Sequence, residues 1–415
     1  MTSPASPSAI RQLLAHPDYV RFWLNRFFAV TAVQIQSVAI GWQVYVIARQ
    51  TGSVAQGALM VGMIGLAQFL ALLTLTLNAG EAADRLDRKK IMATSLCIEV
   101  VSASLLAWLA WRGHPQLWPI FAIAVAFGGA RAFYSPASGA MGPMLVPREI
   151  LPRAVAFNSL AWQSAAIIGP AIGGLLCAVS PAVAFGVSAA LYLFCISVLL
   201  GIRSNTKPFS QGGSRIALIR EGLVYVWTNK ILLGATSLDL FAVLLGGATA
   251  LLPVFARDVL HVGAQGFGIL RAAPAIGATS VAILMAVSPI RQRAGFWMFG
   301  GVAVFGLATI VFGVSKSLWL SVAALAVLGA ADMLSVFVRG TLEQLVTPDP
   351  MRGRVMAVSG LFIGASNELG EFESGVAARF LGPVGAAIFG GVGAIVVTGA
   401  WAWMFPALRK ADRLA

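Results

Sequence analysis

Twelve times along its 415 residues the chain carries a predominantly apolar stretch of about 20 residues or more. The stretches fall at roughly 19–47, 57–79, 91–111, 117–142, 156–179, 182–202, 230–256, 265–288, 296–314, 318–342, 356–378 and 385–405. At a rise of 1.5 Å per residue, about 20 residues cross the ~30 Å hydrocarbon core of a bilayer. A water-soluble fold has no use for twelve such helices, since each would need burial on every side. Charged residues make up 11% of the chain, against roughly 25% in a soluble domain. The reading is an all-α polytopic membrane protein: twelve transmembrane helices in two six-helix bundles. Its 44 glycines fit that reading, because small residues let helices approach closely in lipid.

The net charge of +13 is distributed as topology information. If both termini lie on one side, 20 of the 29 Lys and Arg residues fall in segments on that side and five (Arg49, Arg112, Arg257, Lys316, Arg379) on the other. The remaining four, Arg26, Arg131, Arg271 and Arg339, lie within spans or at their ends. Cytoplasmic loops carry the excess of Lys and Arg, so both termini are expected in the cytoplasm of a bacterial inner membrane. The polar MTSPASPSAIRQLLAHPDYVRFW segment enters the first span without a small-residue cleavage site and reads as a cytoplasmic tail. No soluble basic domain is present to carry a nucleic-acid footprint. Cys97, Cys177 and Cys195 sit in apolar stretches away from His16, His114 and His261, which supports neither disulfides nor zinc.

The longest connection divides the chain into a bundle with its tail at 1–202, a linker at 203–229, and a second bundle with its tail at 230–415. Within the linker, Ile216, Ile219, Leu223, Val226 and Trp227 share one helical face beside Arg215, Arg220 and Lys230. Such a helix either lies in the membrane interface or packs on the floor of the bundle. Internal repeats support the same division. MLVPREILPRAVAFNSL from Met144 matches QLVTPDPMRGRVMAVSGL from Gln344, Gly169 and Gly174 match Gly370 and Gly375, and the RFFAV starting at Arg26 matches the DLFAV starting at Asp239. Two halves in the same orientation imply a pseudo-two-fold axis along the membrane normal and a substrate site between them near the midplane.

Between the second and third spans stands GEAADRLDRKK. It resembles the loop signature of the major facilitator superfamily, with Gly80, Ala83, Asp84, Arg85, Arg88, Lys89 and Lys90 matching and Asp87 replacing the usual second glycine. The resemblance implies that Asp84, with Gly80, Arg85, Arg88 and Lys89, forms a conformational latch holding the cytoplasmic side shut while the outside is open. A solvated loop obeying the positive-inside rule is the plainer reading. The fifth span carries AAIIGPAIGG, similar to the antiporter signature of drug:proton exporters, with Gly169, Pro170, Gly173 and Gly174 matching and Ala165 in place of the first glycine. With ARAFYSPASGAMGPMLVPRE and SNELGEFESG, the whole pattern resembles the enterobactin-exporter and macrolide-efflux branch of that superfamily.

An ionisable side chain near the bilayer centre costs at least about 2.5–3.5 kcal/mol, so those present need a reason. Arg26, Arg131, Asp239 and Asp332 fall in the first, fourth, seventh and tenth spans, which by the resemblance line the central cavity. The repeat sets Arg26 against Asp239 and Arg131 against Asp332. Either these residues form buried ion pairs between the halves, or they line the cavity and handle substrate or protons. Phe133 and Tyr134, with Phe22, Trp23, Phe27, Phe28 and Trp42, offer rings for a planar, partly anionic solute. In the eleventh span Glu368 and Glu371 lie about 60° apart on one helical face, with Glu373 about 140° from Glu368. Two carboxylates on one low-dielectric face do not both ionise readily. Glu368, Glu371 and Asp239 are therefore the proton-coupling candidates, with a hydrogen-bonded structural cluster as the competing reading. Glu99 reads as structural.

The function expected is proton-coupled export of a siderophore or drug-like molecule by alternating access. Uptake of a small metabolite by a facilitator or symporter is the alternative, and a non-transporting sensor a further one. With no phosphate-binding GxxxxGK[ST] and no HExxH, the chain is not expected to be an enzyme or to hold a cofactor or metal. Its expected partners are a small-molecule substrate, protons and membrane lipid, not nucleic acid, and it is expected to work as a monomer.

Overall fold

The computed structural model describes residues 9–113, 116–207, 215–288, 290 and 292–412. These residues form helices in the order α1 (Ala9–Leu14), α2 (Pro17–Thr51), α3 (Val54–Arg85), α4 (Arg88–Trp111), α5 (Trp118–Met141), α6 (Leu151–Val179), α7 (Pro181–Leu200) and α8 (Arg215–Thr228). There follow α9 (Lys230–Leu245), α10 (Leu252–Val254), α11 (Gly263–Val287), α12 (Ala294–Val314), α13 (Leu318–Val346), α14 (Asp349–Met404) and α15 (Pro406–Arg409). Among the described residues 11 helices are long and apolar enough to cross a membrane. The last of them, the 56-residue α14, is two helices joined at Gly382, whose φ of 73° and ψ of 166° are open only to glycine, with Pro383 next. That break yields the twelfth crossing expected from hydropathy.

Local sequence sets several helix starts. Asp87 caps α4 by accepting from the Lys89 amide, Ser180 caps α7 with Pro181 in the first turn, and the Asn229 side chain accepts from the amides of Ile231 and Leu232 at the start of α9. In each case a short polar side chain takes up amides that the helix itself leaves without a partner.

Contacts group the chain into two units: Met1–Ala39 with Ala71–His114 and Ala122–Gly212, and Ile40–Leu70 with Pro115–Phe121 and Gly213–Ala415. The segment 40–70, the tip of the α2–α3 hairpin, groups by its contacts with the second unit. Glycine makes that packing possible: a methyl on Gly62 would lie 2.9 Å from the Gly375 Cα, and one on Gly375 would lie 2.8 Å from the Gly62 Cα. Helix backbones approach this closely only through small residues.

In the first unit α4 packs along α7, and Tyr19, Phe22, Met92, Leu96, Tyr192 and Leu199 are buried in one apolar cluster. The Tyr19 hydroxyl donates to the Ala154 carbonyl at 2.6 Å, so even this aromatic core residue has its polar atom satisfied. In the second unit α12 and α11 flank α13, and α14 packs on α12 and α9.

The linker helix α8 belongs to the second unit. Its Val226 is buried with Leu232, Val355 and Val358, the Tyr225 hydroxyl donates to the Val346 carbonyl, and Glu221 pairs with Arg354. The packed reading therefore describes Val226, while Leu223 and Trp227 on the same helix remain exposed. The Ile216 and Ile219 side chains lie outside the described set.

Candidate transport site

In the first unit the polar residues of α2 and α5 meet. On α5, Phe127, Arg131, Tyr134 and Ser138 recur at helical spacing and so share a face. The Tyr134 hydroxyl donates to the side-chain oxygen of the fully buried Asn25 at 2.7 Å, and Asn25 donates to the Cys195 carbonyl at 2.8 Å. Arg26 donates to Ser138 Oγ at 2.7 Å, and its buried Nε has no hydrogen-bond partner among the described residues. The Arg131 guanidinium lies 5.6 Å from the Phe127 ring centroid, in cation–π geometry, within electrostatic reach of the buried Glu99. Phe133, one residue before Tyr134, packs against the apolar cluster. Trp23 stacks on Phe27 and Phe157, which makes it a packing residue of α2 and α6.

The second unit holds a denser charge cluster. Asp239 of α9 and Arg339 of α13 form an ion pair with both side chains buried. A cavity beside it is lined by Asp239, Ala242, Val243, Val302, Phe305, Ala331, Asp332 and Ser335. Asp332, Ser335, Arg339 and Glu343 are spaced at three and four residues, a polar stripe along an otherwise apolar α13. Glu343 accepts from the Ser359 hydroxyl at 2.6 Å. Sequence reasoning singled out Asp239 and Asp332 but not Arg339, although that stripe was the signal for it. Asn25 was missed because it carries no charge.

The helix that carries Asp239 is interrupted. α9 ends at Leu245, and beyond Gly246 and Gly247 the chain runs through a 3-10 turn, α10 and a π turn over Phe255–Val259. Interrupted membrane helices leave backbone carbonyls to be satisfied by side chains or a cavity. Here Arg271 of α11 donates to the Thr249 carbonyl at 3.3 Å and pairs with Glu371 at 3.6 Å. Glu371 thus has a cation beside it, while Glu368 sits one turn earlier on α14 and Glu373 meets the Ser374 hydroxyl at 3.4 Å. Near the π turn, Asp258 accepts from the Tyr45 hydroxyl and from Arg49, the latter at 3.2 Å.

Residues of both motifs make contacts inside the first unit. Asp84 and Arg85 are exposed where α3 ends just past the buried Gly80, and Arg85 pairs with Glu81 at 2.9 Å. Arg88 donates to the Ala83 and Ala140 carbonyls, at 3.2 and 3.0 Å. Lys89 donates to the Leu200 and Ile202 carbonyls at 2.9 and 2.7 Å, placing a cation at the negative end of α7. On α6, Gly169, Pro170, Gly173 and Gly174 are all buried. A methyl on Gly169 would lie 2.6 Å from the Gln34 Cβ, and one on Gly173 would lie 3.1 Å from the Ile35 Cα, so this face is where α6 lies against the backbone of α2. Among the described residues no group of three or more His, Cys, Asp or Glu side chains is arranged to hold a metal.

Comparison with known proteins places this geometry in a family. The sequence profile described as "Transmembrane secretion effector" matches residues 10–415. The enterobactin exporter EntS of Citrobacter koseri is 27% identical over 388 residues, covering 92% of this chain and 87% of the relative. In fold, the chain is similar to a POT family transporter solved in complex with 5-aminolevulinic acid, with a TM-score of 0.75, 12% identity and coverage of 94% and 96% of the two chains. It is similar also to a D-xylose-proton symporter, with a TM-score of 0.71, 14% identity and coverage of 97% and 99%.

Proposed function

Because this chain belongs to the transmembrane secretion effectors of the major facilitator superfamily, and is therefore a membrane-embedded secondary transporter of a small molecule, we propose that it exports a siderophore or drug-like compound by proton-coupled alternating access. The direction and substrate class rest on its likeness to the enterobactin exporter across 92% of the chain. The orientation, with both termini in the cytoplasm of a bacterial inner membrane, rests on the 20 basic residues against five.

The observation that carries the coupling is the gathering of carboxylates inside the membrane. Asp239 pairs with the Arg339 guanidinium, and Asp332 and Glu343 lie within its electrostatic reach. Ionisable groups at such depth mark ion or substrate pathways. A chain without a nucleotide-binding motif must draw on an ion gradient to pump uphill, and 100 mV supplies about 2.3 kcal/mol per charge. In this reading Arg26, Arg131, Phe133, Tyr134, Asp239 and Asp332 face the substrate, while Asp84 with Gly80, Arg85, Arg88 and Lys89 latches the cytoplasmic side. The coupling candidates read from the sequence are Asp239, Glu368 and Glu371, and Asp332 joins them because it lines the same cavity as Asp239. The protein works as a monomer.

Expression in an Escherichia coli strain stripped of its own enterobactin exporter tests direction and substrate together. Restored secretion of enterobactin, or faster efflux of a preloaded lipophilic dye, is the expected result. Accumulation of either compound inside the cells above the empty-vector level would contradict export.

A further inference from the structure

We propose that Asp332 is the residue that binds the transported proton, in a pocket where Arg339 keeps Asp239 ionised and the Ser335 hydroxyl serves the Asp332 carboxyl. This rests on the proton-coupled reading above and gives it a site.

Charge counting in the pocket leads there. Asp239 on α9 is committed to Arg339 by a buried ion pair. Asp332 lines the same cavity and feels both the Asp239 carboxylate and the Arg339 guanidinium. One cation therefore faces two carboxylates, with Glu343 one helical turn beyond Arg339 as a third acid, itself bonded to Ser359. The remaining wall, from α12, contributes only Val302 and Phe305, which screen nothing. Arg271 on α11, the helix packed against α13, is already matched one to one with Glu371. Two like charges in a low-dielectric pocket do not both ionise when only one counter-charge serves them. Of the two, Asp239 has the direct ion pair, so the proton goes to Asp332.

A second observation points to the same carboxyl. Ser335 is 2% exposed, lines the cavity, and its Oγ has no hydrogen-bond partner among the described residues. A buried hydroxyl left without a partner is costly. Three residues from Asp332 on the same helix, it is in register to donate to the carboxylate or to accept from the carboxylic acid. The chemistry is a single reversible step: the Asp332 carboxylate takes one proton from one side of the membrane and releases it to the other, with no other bond made or broken. The cavity is walled chiefly by Ala242, Val243, Val302, Phe305 and Ala331, which lowers the dielectric around that step.

Infrared spectroscopy of the full-length protein reconstituted in lipid tests this without any substrate. Within the protonated-carboxyl C=O absorption expected at neutral pH in the wild type, one component is expected to be retained in Glu371→Gln and lost in Asp332→Asn. A band unchanged by Asp332→Asn overturns the assignment. Should Asp332→Asn fail to fold, Asp332→Glu keeps the carboxyl and is expected to move the pH at which the band titrates, and an unmoved titration overturns the assignment equally. Transport then separates the two levels of the reading. Enterobactin-driven proton release from everted vesicles is expected in the wild type and at least tenfold weaker in Asp332→Asn. Undiminished release in Asp332→Asn overturns the role of Asp332 alone. Enterobactin transport in the wild type that moves no protons, or that follows sodium instead, overturns the coupled reading and the role of Asp332 with it.

Discussion

Asp239 and Arg339, 100 residues apart in sequence, form a buried ion pair between α9 and α13 whose side chains are 6% and 4% exposed. Because Asp332 shares the same pocket, the two partners are not equivalent. Arg339→Leu leaves the buried Asp239 carboxylate alone and is expected to cost about 3–5 kcal/mol, the usual penalty for stranding a buried charge. Asp239→Asn leaves Arg339 with Asp332 still beside it and is expected to cost at least about 1 kcal/mol less. Thermal unfolding of the purified variants measures both. Equal losses would mean that Asp332 does not share Arg339.

The glycine face of α6 is expected to be intolerant of side chains. Gly169→Val drives a β-branched group toward Gln34 and the Thr31 carbonyl, and overpacking of this kind costs about 1–3 kcal/mol. Gly186 on α7, where a methyl meets nothing within 4 Å, is the control. Gly186→Ala should leave the melting temperature unchanged, and a similar fall in both variants would remove packing as the reason for the motif.

The loop after α3 separates into stabilising and functional residues. Lys89→Ala removes a cation and its two carbonyl bonds from the end of α7 and is expected to cost about 1–2 kcal/mol. Arg85→Ala breaks only an exposed i,i+4 pair with Glu81 and is expected to cost no more than about 0.5 kcal/mol. Asp84→Asn is expected to reduce transport severalfold at unchanged melting temperature, since its part is the proposed latch. Unfolding curves paired with transport rates distinguish the three, and full transport by Asp84→Asn would remove the latch.

Hydropathy was enough to find the crossings, because a span of about 20 apolar residues is a local property of the chain. Even the break within α14 is explained locally, by the Gly382–Pro383 pair. The partners of the buried charges were not legible in the same way. The repeat set Arg26 against Asp239 and Arg131 against Asp332. Within their own units Arg26 donates to Ser138 and Asp239 pairs with Arg339, contacts that the alignment of equivalent positions does not name. Repeats report the ancestry of a position, whereas an ion pair depends on how neighbouring helices rotate about their axes. The stripe Asp332, Ser335, Arg339, Glu343 was nevertheless present in the sequence as a single helical face. Asn25 and the grouping of residues 40–70 with the second unit arise from tertiary packing alone.

Proton-coupled export is tested most directly in everted membrane vesicles with an acidified lumen and a pH-sensitive dye. Addition of enterobactin to vesicles containing this protein is expected to release protons from the lumen, faster than in vesicles lacking it, and the release should vanish when an uncoupler has already collapsed the gradient. Enterobactin entry with no proton release, or with further acidification of the lumen, would contradict proton-coupled export.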